Sequence, residues 1–228
     1  MPNFVHYPKP GADGIIAWKS LLENENSIAI LLPSAVHLLP LQTNKDFTRD
    51  AELLATLTVS GGSLIVRNDS VIKNIKDLGK SQYTIGGVGE KGLCSTVLNG
   101  LSKKYNFNYI YVPYKLNSGT RIDLLTGRID VHCAIGVNAK EYIINGDGRE
   151  IFNLSDSYGF KVRTYIFANK NLPVNTKNLV LEQLKKKLSD EEGKLLTQLS
   201  IELDINILDK ANEIFKTERN FWLKYYAN

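Results

Sequence analysis

The stretch YTIGGVGEKGLCSTVL, residues 83–98, decides how the chain is read. Within it GVGEKG, residues 87–92, spells G-x-G-x-x-G, with an apolar run before it and a helical pattern after it. Strand, glycine loop and helix in that order can seat a dinucleotide pyrophosphate. The underlying physics is more general. Unpaired N–H groups at a helix N-terminus, together with the positive end of the helix macrodipole, hold an anion, and glycine lets that anion come close. Pyrophosphate and carboxylate satisfy this equally, so the surroundings of the loop must choose between them.

A dinucleotide fold places an acidic residue about 20 positions further on, where it binds the ribose hydroxyls. Here the next strand lies in YNFNYIYVPYK (105–115), and no Asp or Glu occurs between Asn99 and Asp123. The strand ends in Val112-Pro113-Tyr114-Lys115 instead. The loop is therefore read as a small-anion site with Lys91 and Lys115 as nearby positive charges, the plain alternative being a structural glycine turn. Glu90 would repel an anion unless it faces solvent or pairs with Lys91.

Outward from the loop, apolar runs rich in branched residues alternate with stretches of helical period, which predicts an α/β fold. Strands are expected at 27–32, 63–67, 83–86, 109–112, 130–135 and 162–168. Ile15, Trp18, Leu21 and Leu22 recur at helical spacing, as do Leu93, Val97, Leu98 and Leu101, so each set should bury one stripe of a helix. A short helix is expected over 119–127, and the segment beyond NLPVNTKN (171–178) should be largely helical. In that segment Ser189 and Glu192 form a capping box, and Ala211, Ile214, Phe215, Phe221, Trp222 and Tyr225 form the buried face of the last helix.

Composition excludes several classes. At 228 residues the chain can bury a sizeable core and is long enough for two lobes. Charged residues make up 23% and hydrophobic ones 43%, an ordinary globular mix. The net charge of +4 is spread out, and Lys185–Lys187 are followed at once by Asp190, Glu191 and Glu192, which is a solvated face rather than a nucleic-acid patch. No stretch approaches the roughly 20 apolar residues of a membrane span, so direct membrane insertion is not expected. His6, His37 and His132 lie far apart and read as structural, with no metal or cofactor implied. Cys94 and Cys133 match neither a metal knuckle nor C-x-x-C. They are either two buried free thiols or, in an oxidising compartment, one disulfide. No nucleophile–base set and no P-loop lysine motif is present, so an enzyme is the minority reading.

Several segments in order carry a resemblance: Lys9-Pro10-Gly11-Ala12-Asp13-Gly14, SIAILLPS, YTIGGVGEKG, YIYVPYK, GTRIDLLTGRIDVHCAI and VRTYIFANKNLP. Together they are similar to the tripartite tricarboxylate transporter receptors, the TctC- or Bug-type periplasmic solute-binding proteins. VPYK followed by DLL-x-G-x-x-D is the most specific part. The resemblance implies a type II periplasmic-binding fold, two α/β lobes with a cleft between them, with residues 1–67 and 164–228 as lobe 1 and 68–163 as lobe 2. It implies a periplasmic receptor, not an enzyme, that needs no cofactor, captures a small mono-, di- or tricarboxylate and delivers it to membrane permease subunits. Gly89, Glu90, Lys91 and Gly92 would cradle one carboxylate, with Tyr114 and Lys115 beside it and Ser34 and Ala35 facing them from lobe 1. Asp130 would be structural. The family's opening strand and glycine-rich loop have no counterpart in these residues, so lobe 1 is expected to lack that strand. The family's glycine after VPYK is Leu116 here. A transport-inactive sensor or interaction module with the same fold is the alternative reading.

Overall fold

The computed structural model describes residues 5–9, 14–186, 194 and 201–226. Residues 10–13 of the first resembling segment and the capping box at Ser189 and Glu192 lie outside the described residues, as does the side chain of Tyr225. The strands are β1 Ile28–Leu31, β2 Ala51–Ser60, β3 Gly62–Arg67, β4 Tyr83–Val88, β5 Tyr109–Tyr114, β6 Val131–Ile135, β7 Gly148–Asn153, β8 Val162–Asn169 and β9 Glu202–Ile207. The helices are α1 Ile15–Glu23, α2 Leu39–Thr43, α3 Leu93–Tyr105, α4 Asn117–Leu125, α5 Val137–Asn145, α6 Leu154–Tyr158, α7 Val174–Lys185 and α8 Leu208–Tyr226. A π-helical turn, Ser34–Leu38, leads into α2.

Two sheets form, one in each of two α/β lobes. The first is four-stranded in the order β1-β8-β2-β9, and all its pairings are antiparallel. The second is five-stranded in the order β5-β4-β6-β3-β7. In it β4 runs parallel to β5 and β6, while β3 runs antiparallel to β6 and β7. β3 therefore moves to the second lobe, contrary to the expected boundary after residue 67. The chain crosses at Gly61, between β2 and β3, and returns between α6 and β8.

Alternate residues of the second sheet face opposite layers, as strand geometry requires. Leu64, Val66 and Cys133 join the core under α3, while Ile65 and Ala134 join the core under α4 and α5. Leu93, Val97, Leu98 and Leu101 are buried as their spacing predicts. Each contributes roughly 1.5–3 kcal/mol of apolar burial as an upper figure. The first sheet does the same, with Leu53, Tyr165 and Phe167 facing α1 and Leu54, Ile166 and Ala168 facing α7.

Helix α8 belongs to both lobes. Ala211 and Phe215 pack in the first core, whereas Trp222 is buried in the second and meets Phe160 edge-on at 5.5 Å. The helix thus straps the lobes together beside the crossing segments. No helix among the described residues is long and apolar enough to cross a membrane.

Candidate ligand-binding site

Strand order places the site. From β4 the chain turns through α3 to β5 on one side, and from β6 it turns through α5 towards β7 on the other. Ligands of open α/β sheets bind beyond the carboxyl ends of the strands where the winding reverses in this way. Val88 ends β4 and Gly89 follows it, and Ile135 ends β6 and Gly136 follows it. All four line a cavity of about 370 Å³ between the sheets. That volume lies within the roughly 300–1,000 Å³ usual for small-ligand pockets.

Three helices of the second lobe begin at this cavity. Gly92, Leu93 and Cys94 supply the first turn of α3, Asn117 opens α4, and Gly136 and Asn138 flank the start of α5. Their partial positive ends add at one place. Glycine is required at two of these positions. A side chain at Gly92 would put its Cβ 2.7 Å from the carbonyl oxygen of Val88, and Gly136 holds φ at +63°. The first lobe supplies Ser34, at the start of the π-helical turn, with Thr58 and Ser60 of β2 and Thr164 of β8. Two of these hydroxyls are tied to each other, since Thr58 Oγ1 and Thr164 Oγ1 lie 2.8 Å apart and the Thr58 N–H donates to Thr164 Oγ1 at 3.0 Å. The rest of the wall is apolar, from Leu32, Leu93, Ile135, Val162 and Ile201. Among the described residues, no ionisable side chain lines the cavity.

Cys94 and Cys133 are joined in a disulfide, which resolves the two readings left open by their number. The pair lies on the cavity wall and fixes the second residue of α3 to β6.

Of the residues expected at the site, Ser34, Gly89 and Gly92 line the cavity. The other five do not, and each has a local reason. The N–H of Ala35 donates to Leu32 and its carbonyl accepts from Trp18 Nε1 at 2.8 Å, so Ala35 is buried behind the wall. Glu90 and Lys91 are exposed, and the carbonyl of Lys91 accepts from Gln42 of α2 across the lobes. Tyr114 turns its hydroxyl to Asp123 of α4, donating at 2.6 Å, and burial, with this bond to the carboxylate, pushes its pKa up to about 12. Lys115 is exposed beside it. Gly89 also differs from a free anion donor, because its N–H is already given to the carbonyl of Tyr114. Asp130 accepts from the N–H and hydroxyl of Thr84, the structural role expected of it.

Sequence reading missed Thr58, Ser60, Thr164, Asn117, Gly136 and Asn138. A strand running into glycine and then a helical pattern, HCAIG followed by VNAKEY, was the available signal for the last two.

Behind the first-lobe wall lies a buried polar chain. His37 Nε2 and the Tyr165 hydroxyl are 2.8 Å apart, Tyr165 donates to Glu218, and Arg163 donates to Glu218 at 2.8 Å and also to Asp204. Burial, with the Arg219 charge, pushes the His37 pKa down to about 3. His132 pairs with the Tyr142 hydroxyl at 2.7 Å, and burial pushes its pKa down to about 4. Both histidines are thus neutral structural groups. Among the described residues, no cluster of three or more His, Cys, Asp or Glu is arranged to hold a metal ion.

No protein-family model matches the sequence, and a search of curated proteins finds no match. Solved structures do match. An R. palustris protein with adipate aligns over 95% of this chain and 83% of its own, at 15% identity and a TM-score of 0.82. The periplasmic binding protein BugD aligns over 95% and 82%, at 17% identity and 0.73. A TctC solute-binding protein from Polaromonas aligns over 97% and 85%, at 14% identity and 0.71. The chain has the two-lobed fold of the TctC- and Bug-type periplasmic solute-binding proteins.

Proposed function

We propose that the chain is an extracytoplasmic solute-binding receptor of the tripartite tricarboxylate transporter kind, and that it captures a small organic acid for membrane permease subunits. The convergence of three helix N-termini on one uncharged cavity between the lobes carries this reading. A carboxylate set there would accept N–H donors from the first turn of α3 and from the starts of α4 and α5. The apolar surroundings keep the effective dielectric low and strengthen each contact.

Ser34, Thr58, Ser60 and Thr164 would close on the ligand from the other lobe. Closure is then the signal to the permease, because the full shell exists only when the lobes meet. Gln42 reaching the Lys91 carbonyl would help to hold that state. Lys91 and Lys115, both exposed and outside the cavity lining, would act as long-range attraction for anions. The adipate carried by the R. palustris protein of the same fold fits this ligand class. Among the described residues no ionisable side chain lines the cavity to serve as a general base for its hydroxyls, so the reading is a receptor rather than an enzyme.

Calorimetry and thermal shift with a panel of mono-, di- and tricarboxylates test the reading. Saturable binding of at least one, with a rise in melting temperature, is expected. A folded chain that ignores the whole panel would overturn it.

A further inference from the structure

Resting on that reading, we infer that the ligand is a monocarboxylate with an apolar body rather than a di- or tricarboxylate. The inference comes from the asymmetry of the cavity. Its positive pole is single, made by the ends of α3, α4 and α5, all on the second lobe. Opposite this pole, the described part of the first-lobe wall holds no arginine, lysine or histidine.

The neutral donors on that wall are partly engaged. One of the Thr58 and Thr164 hydroxyls donates to the other, and the Ser60 hydroxyl points to the Val162 carbonyl at 3.4 Å. The Ser34 hydroxyl and the second proton of the threonine pair are left as neutral donors at the cavity, and neither carries a charge. The remaining surface there is Leu32, Val162 and Ile201, and on the facing side Leu93, Ile135 and the disulfide add to it.

A second carboxylate seated against such a wall would lose its hydration shell without gaining a countercharge, which is the costly case for a buried ion. A methyl or methylene group in the same place would gain free energy by leaving water. The wall therefore discriminates by repelling the second charge as well as by attracting an apolar chain.

The experiment is calorimetric titration of the full chain with hexanoate, adipate and 1-hexanol, which share a carbon count and differ in carboxylates, with malate and citrate as further probes. Hexanoate is expected to bind roughly tenfold or more tightly than adipate, and hexanol to bind more weakly than hexanoate by at least as much. Adipate, malate or citrate binding as tightly as hexanoate or tighter overturns the monocarboxylate inference and leaves the receptor reading standing. No binding by any acid, or hexanol matching hexanoate, overturns the receptor reading itself.

A second arm uses Leu32→Lys. Leu32 is 48% exposed, so the variant should fold, and it adds a cation to the first-lobe wall. The hexanoate-to-adipate affinity ratio should then fall by roughly threefold or more. An unchanged ratio would show that the wall does not set the preference, and would overturn the inference.

Discussion

The two lobes handle charge in opposite ways. The first buries ionic groups in its own interior, where the Arg163 side chain is 5% exposed and the Glu218 side chain 13%. The second keeps its ion pairs nearer the surface, such as Lys80 with Asp77 and Arg128 with Asp123, and among the described residues turns helix starts and neutral side chains towards the cleft. One lobe uses full charges to hold α8 against its sheet, and the other uses partial charges that need no countercharge. The cavity wall accordingly carries partial charges and, among the described residues, no ionised side chain.

Breaking the buried network should give the largest effect. Arg163→Ala leaves Glu218 and Asp204 uncompensated, and we expect a loss of about 3–5 kcal/mol in denaturant unfolding. A loss under about 1 kcal/mol would mean that the network is solvated and the contrast between lobes is false. Next in size is the response to acid. His37 and His132 are neutral in the folded chain, with pKa values of about 3 and about 4, against an ordinary value of 6.5. The unfolded chain therefore binds more protons below pH 6.5. The stability these groups contribute is complete above that value and falls as pH drops, by up to roughly 1.4 kcal/mol per pH unit for each histidine. His37→Gln in the first lobe and His132→Gln in the second should each flatten the curve between pH 6.5 and 5, which measures the two lobes separately.

Removing the disulfide should act on the second lobe alone. Cys94→Ala with Cys133→Ala opens a loop of sequence separation 39, and a loss of about 2–4 kcal/mol is expected on denaturation. Because Cys94 lies in the first turn of α3, carboxylate affinity should weaken as well; an unchanged affinity would separate that helix end from the ligand. The smallest effect is expected from Gln42→Ala, which removes the contact with the Lys91 carbonyl across the lobes. A loss of about 0.5–1.5 kcal/mol in ligand binding, with unfolding of the free chain little changed, is the expected result.

Legibility in the sequence followed apolar composition rather than burial. The strands β3, β4, β6 and β8 are apolar runs in sheet interiors, and β1 and β5 are edge strands that keep an apolar or aromatic run, so each announced itself. Strand β2, AELLATLTVS, mixes helix-forming and strand-forming residues and was not read as a strand. Strands β7 and β9 carry Arg149, Glu150, Glu202 and Asp204, and an edge strand with charges lacks the apolar signature. The glycine loop was legible because its spacing is local. The lobe-1 hydroxyls were not, since Thr58 and Thr164 stand 106 positions apart and meet only through the pairing of β2 with β8. The same reason hid the disulfide, whose partners are brought together only when β6 settles beside the start of α3.

The central claim is that a carboxylate is held by the helix starts of the second lobe. A crystal structure of the chain soaked with hexanoate tests it most directly. The account predicts the carboxylate oxygens within hydrogen-bond distance of backbone N–H groups in the first turn of α3 or α5, with the alkyl chain directed at Leu32 and Val162. A carboxylate paired with an exposed lysine outside the cavity, or seated against the first-lobe hydroxyls with the helix starts left to water, would contradict it.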